Sequence, residues 1–63
     1  MLNPQLVLAM AEYLKASEDL ADATDNLIKA HVGLLGNFAH FEEVAAISLK
    51  VYRQARHNWE NMQ

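Results

Sequence analysis

The stretch PQLVLAMAEYLKASEDLADATDNLIKAHV, residues 4–32, decides the fold. Placed on a wheel at about 100° per residue, Leu6, Met10, Tyr13, Leu14, Leu20, Ala21, Leu27, Ile28 and Val32 gather on one side. Glu12, Lys15, Glu18, Asp19, Asp22, Asn26 and Lys29 fall opposite. No Gly or Pro interrupts the pattern after Pro4, so the segregation predicts one long helix, about 42 Å at 1.5 Å per residue.

Signals on either side of this stretch mark its ends. Asn3 is placed to accept from unpaired backbone N–H groups, and Pro4 at the first helical position loses nothing by lacking one. Leu2 and Val7 stand at the spacing of a hydrophobic staple. Gly33 is the natural stop, because glycine takes the left-handed conformation that closes a helix, and Gly36-Asn37 adds a second break. A second helix resumes near Phe38, with Asn37 as its cap and Glu42 and Glu43 in or just after the first turn, where the helix dipole favours negative charge. Arg53, Arg56 and His57 lie toward its other end. Phe41, Val44, Ala45, Ser48, Val51, Tyr52, Ala55, Trp59 and Met62 share its inward face. The expected fold is all-α: an antiparallel two-helix hairpin in a single domain over 1–63, with helix one at 4–32, the turn at 33–37 and helix two at 38–61.

A chain of 63 residues holds one small domain at most, and its 52% hydrophobic content argues against disorder. Short chains bury too little apolar area to offset conformational entropy without a staple. With no cysteine and no ligand cluster for a structural metal, self-association is the remaining common route. Both apolar arcs look wider than one helix–helix contact needs. The doublets Leu6/Val7, Tyr13/Leu14, Leu20/Ala21, Leu27/Ile28 and Leu34/Leu35 recur every seven residues, the spacing of bundle packing. The expectation is therefore a homodimeric four-helix bundle with a core of Leu6, Met10, Tyr13, Leu14, Leu20, Leu27, Ile28, His31, Phe41, Val44, Val51, Tyr52 and Trp59. Ala9, Ala16, Ala23 and Ala30 also repeat every seven, which either permits close helix approach or only reflects the high helix propensity of alanine. Met10, Ser17, Thr24 and His31 fall near the middle of the first apolar face, where polar groups set register and partner number, or where the histidine senses pH. This outline is similar, in architecture alone, to that of Rop-type plasmid regulators, which are hairpin dimers of comparable size.

Several function classes are excluded or disfavoured. The first basic residue is Lys15 and the apolar run Leu6 to Ala11 is too short for a signal-peptide core, so a cytoplasmic, complete product beginning at Met1 is expected. The longest charge-free interior interval, Ala30 to Phe41, falls short of the roughly 18 apolar residues that span a bilayer. The net charge of −3 disfavours nucleic acid and anionic membranes. It is unevenly spread, with an acidic first half and a second half in which Glu42, Glu43 and Glu60 balance Lys50, Arg53 and Arg56. His31, His40 and His57 form neither an i, i+4 pair nor a Glu-x-x-His set, so no metal site is expected within the chain. Without a cysteine nucleophile, a GxSxG elbow or a Gly-rich phosphate loop, no enzymatic activity and no cofactor is expected. The run Glu18-Asp19-Asp22-Asp25 reads as a solubilising stripe or a docking surface for a basic partner.

What remains is binding. The sequence points to a small non-enzymatic regulator, an adaptor, inhibitor or anti-activator, that acts on another protein through Leu34, Leu35, Phe38, Arg53, Arg56 and His57, since aromatic residues and arginine dominate binding hot spots. The alternatives are a Rop-like nucleic-acid-binding dimer that uses Lys50, Arg53 and Arg56 beside Tyr52 and Trp59, and a purely structural oligomerisation subunit.

Overall fold

A computed structural model describes residues 3–33 and 36–63 of the chain. It contains two helices, α1 over Pro4–His31 and α2 over Phe38–Asn61, packed against each other as a helical hairpin, with no strand among the described residues. The ends form for the chemical reasons read above. Asn3 is extended (φ −72°, ψ 119°) and its Oδ1 accepts the Gln5 N–H at 2.9 Å, with Pro4 at the first helical position. At the other end the Val32 N–H donates to the Ile28 carbonyl at 3.1 Å, and Gly33 turns left-handed at φ +83° while its own N–H reaches the Ala30 carbonyl at 3.2 Å. Any side chain at Gly33 would be strained by that φ. Asn37 caps α2 from the left-handed region (φ 60°, ψ 56°), which asparagine tolerates better than most residues, and its Oδ1 accepts the His40 N–H at 3.4 Å. Leu2 of the staple lies outside the described residues, as do Leu34 and Leu35.

Where α1 meets α2, the buried residues are all alanines: Ala9, Ala16, Ala23 and Ala30 at 4–7% exposure, and Ala55 of α2 at 8%. Leu6, Tyr13, Leu20 and Leu27 alternate with the α1 alanines and are half-buried. The spacing runs three, four, three, four along α1, the seam of a coiled coil with large residues at one core position and alanine at the other. Of the two readings of the alanine repeat, close packing is the one realised. The four doublets within α1 are split by this seam. Their first members face α2, whereas Val7, Leu14, Ala21 and Ile28 point away from it and are exposed. On α2 the matching residues are Phe41, Val44, Ala45, Ser48, Leu49, Tyr52 and Trp59, all half-buried around Ala55.

The antiparallel pairing is fixed by two ring contacts. Tyr13 meets Tyr52 with centroids 5.6 Å apart, and His31 meets Phe38 at 5.7 Å beside the turn. The whole body measures 49 × 16 × 12 Å, one hairpin long and one helix thick.

Within one hairpin the wide apolar arcs are only partly covered. Val51 and Met62, assigned to the inward face of α2, are exposed, while Leu49 takes part in the packing. Met10, Ser17, Thr24 and His31, expected near the middle of the first apolar face and inside a bundle, are exposed in the single hairpin as well. The cause is common to both: one neighbouring helix covers a stripe only, and α2 lies over the alanine edge of the α1 arc rather than over its centre.

A close alanine seam has little room for larger side chains. Ala16→Leu and Ala23→Leu are each expected to destabilise the fold by about 1–3 kcal/mol through overpacking, whereas Ala11→Leu on the exposed side changes stability by less than about 0.5 kcal/mol. Urea midpoints followed by circular dichroism at one protein concentration measure this; equal midpoints for Ala16→Leu and Ala11→Leu would mean that the helices are not in close approach.

Candidate functional site

Tyr13 and Tyr52 form the polar centre of the hairpin. Their hydroxyl oxygens lie 3.3 Å apart, both residues are half-buried, and among the described residues this is the one side-chain hydrogen bond between α1 and α2. The bond to Tyr52 raises the pKa of the Tyr13 phenol above its ordinary value, and partial burial adds to the effect. The contact ties the two helices together across the seam.

The hairpin has two broad sides, and α1 makes them different. One side displays its second stripe, Val7, Met10, Leu14, Ser17, Ala21, Thr24, Ile28 and His31, again at alternating spacings of three and four and without a carboxylate, lysine or arginine. Leu14 and Ile28 are each 58% exposed there. Every Asp, Glu and Lys of α1 lies elsewhere on its circumference. Lys15 and Lys29 are tied to Asp19 and Asp25 by exposed i, i+4 ion pairs of 3.3 and 3.1 Å, which contribute only about 0.3–0.5 kcal/mol each.

The opposite side carries a groove along the line where the helices meet. It consists of two open cavities of about 340 Å³ each. Glu12 and Asn58 line both cavities, so the two adjoin. Ala9, Ala16 and Ala55 form its floor, Leu8, Val51 and Met62 its apolar shoulders, and Gln5, Lys15, Asp19, Gln54 and Asn61 its polar rim.

A third recess, of about 330 Å³, lies on α2 between Arg53, Arg56, His57 and Glu60. Arg56 Nε donates to Glu60 Oε1 at 2.9 Å, and this carboxylate raises the guanidinium pKa further, so the arginine stays charged wherever the fold persists. His57 Nε2 lies 3.0 Å from Asn61 Nδ2.

The described residues among the expected partner contacts lie in two places, beside the turn and toward the end of α2. Arg53, Arg56 and His57 come together within a turn of α2. Phe38, 40% exposed, sits beside the turn against His31, fifteen residues and about 22 Å of helix from Arg53. Leu34 and Leu35 lie outside the described residues. The expected dimer-core residues also divide. Leu6, Tyr13, Leu20, Leu27, Phe41, Val44, Tyr52 and Trp59 are half-buried within the hairpin itself, Met10, Leu14, Ile28 and His31 stand on the uncharged stripe, and Val51 lines the groove. The groove went unread in the sequence. Its signal was the alanine repeat, which lowers the floor between the two helices.

Among the described residues no three His, Asp or Glu side chains gather as a metal site, and no helix is long and apolar enough to cross a membrane. Comparison with protein-family models, curated proteins and solved structures finds no match.

The raised Tyr13 pKa fixes a pH dependence. Because the folded state favours the neutral phenol, its contribution to stability is complete below the ordinary value of 10.0 and is lost as pH rises through the elevated one. Titration of phenolate absorbance should show a component above the range of free tyrosine, and Tyr52→Phe should move the Tyr13 component down. A Tyr13 midpoint that ignores Tyr52→Phe would rule out the hydroxyl contact as its cause.

Proposed function

We propose that the protein is a non-enzymatic regulatory module, a hairpin that pairs with a second copy into a four-helix bundle and in that form binds and modulates another protein. The observation that carries this reading is the exposed, uncharged stripe of α1. A solvated helix face interleaves charges with polar residues, as the rest of α1 does, whereas eight successive stripe positions from Val7 to His31 carry no carboxylate, lysine or arginine.

Surface area supports the same reading. The chain exposes 4932 Å², against about 4,100 Å² for a compact monomer of its mass. The surplus, roughly 800 Å², is the share that one partner contributes to a standard interface.

The stripe is also suited to pairing with itself. Its centre falls between Ser17 and Ala21, so antiparallel pairing about a two-fold axis brings Met10 opposite Ile28 and Leu14 opposite Thr24, with small residues at the crossing point. The charged residues of both α1 helices then stay in solvent. On this reading Phe38 at the turn and the cluster of Arg53, Arg56 and His57 remain as polar and aromatic contacts for the regulated protein. Nucleic-acid binding has less support, because Arg56 is already paired with Glu60 and α1 presents five acids against two lysines.

Light scattering at micromolar concentration tests the proposal. The native chain is expected at twice the monomer mass; Leu14→Glu and Ile28→Glu should yield monomers, and Ile47→Glu, off the stripe, should stay dimeric. A compact native monomer at these concentrations sinks the dimer. Pull-down with mass spectrometry should recover one specific protein, with capture reduced by Phe38→Asp or Arg53→Asp; capture unchanged in both variants would remove those residues from the partner surface.

A further inference from the structure

The groove opposite the uncharged stripe has a shape and a charge of its own. From Gln5 to Asp19 it follows α1 for about 21 Å, four helical turns, over a floor of alanine. A channel between two helices, with small residues below and Leu8, Val51 and Met62 at its shoulders, matches the apolar face of a third helix laid along it.

The charges identify the occupant further. Of the α1 charges only Glu12, Lys15 and Asp19 line the groove, and the Lys15–Asp19 ion pair of 3.3 Å leaves Glu12 as the source of its net negative charge. Glu12 lies where the two cavities join and has no ion-pair partner among the described residues. The α2 wall is neutral and amide-lined, with Gln54 Nε2 donating to Asn58 Oδ1 at 3.2 Å. One wall thus carries a net charge of −1, centred on Glu12, and the other carries none.

We propose that this groove seats an amphipathic helix of the regulated protein, with Leu- or Ala-sized residues toward the alanine floor and Lys or Arg along the edge that faces Glu12. This rests on the reading that the target is a protein, and it names the element by which that protein is held. A second copy suits the groove less well. It would have to bring Lys50 or Arg53 to Glu12, and such a head-to-tail contact between unlike faces would not close at two subunits.

The test uses the full-length protein and two stapled helical peptides of about 16 residues with the same apolar face, one bearing Lys along one edge and the other Glu, followed by fluorescence anisotropy. The Lys peptide is expected to bind at least about tenfold more tightly than the Glu peptide, with added salt weakening it and Glu12→Lys costing about tenfold. Val51→Glu should abolish binding, while Ala11→Glu, exposed on α1 and part of neither the groove nor the uncharged stripe, should leave it unchanged. Equal affinity for the two peptides, or indifference to both Glu12→Lys and Val51→Glu, overturns the proposal. So does self-assembly beyond a dimer that Val51→Glu disrupts, since a second copy would then be the occupant. Loss of the dimer with groove-dependent Lys-peptide binding intact would count against self-association alone; a dimer without peptide binding would count against the groove alone.

Discussion

Alanine at every seventh residue of α1 sets how near α2 can lie, and the remaining architecture follows from that distance. A methyl group lets two backbones approach closely and gain dispersion contacts, but its burial contributes only about 0.8 kcal/mol, against 1.5–3 kcal/mol for a fully buried leucine. The large residues that alternate with Ala9, Ala16, Ala23 and Ala30 are left half-covered, because a tight seam between two helices has edges and no interior. The hairpin is well specified and thinly buried at once. That combination is what makes a second layer physically reasonable for so short a chain.

The two broad sides divide the remaining work. One displays an α1 stripe free of ionic side chains, suited to pairing with itself. The other has a groove whose α1 wall belongs to the helix that carries the net charge of the chain and whose α2 wall is neutral. Charged residues fall on α1 only where neither α2 nor the proposed second copy would cover them, so the desolvation cost of burying a charge is avoided at both contacts. The Tyr13 and Tyr52 hydroxyls are polar groups within the seam, and they satisfy each other. Both surfaces suit the binding role proposed for them.

Much of the fold was legible because its signals are local. Asn3 with Pro4, Gly33 in the left-handed region and Asn37 as a cap act through their own backbone geometry, and the structure uses each as its residue type dictates. The candidate site was less legible. Phe38 and Arg53 were grouped by side-chain type, but continuous α2 holds them about 22 Å apart. Val51 was assigned to the core from a wheel that averages over the whole helix, whereas the actual contact with α1 runs along one edge of that arc and leaves Val51 on the rim of the groove.

By itself the sequence determined that there are two helices, where each begins and stops, that they are joined by a short connection, and that apolar residues recur in doublets every seven positions. Which member of each doublet faces α2 was decided only by the tertiary structure. Leu6 and Val7, or Leu27 and Ile28, are equally apolar neighbours about 100° apart, and nothing local tells them apart. The alanine beside one edge of that arc broke the tie, since α2 packs closest where side chains are smallest. The same choice exposed the second stripe and opened the groove.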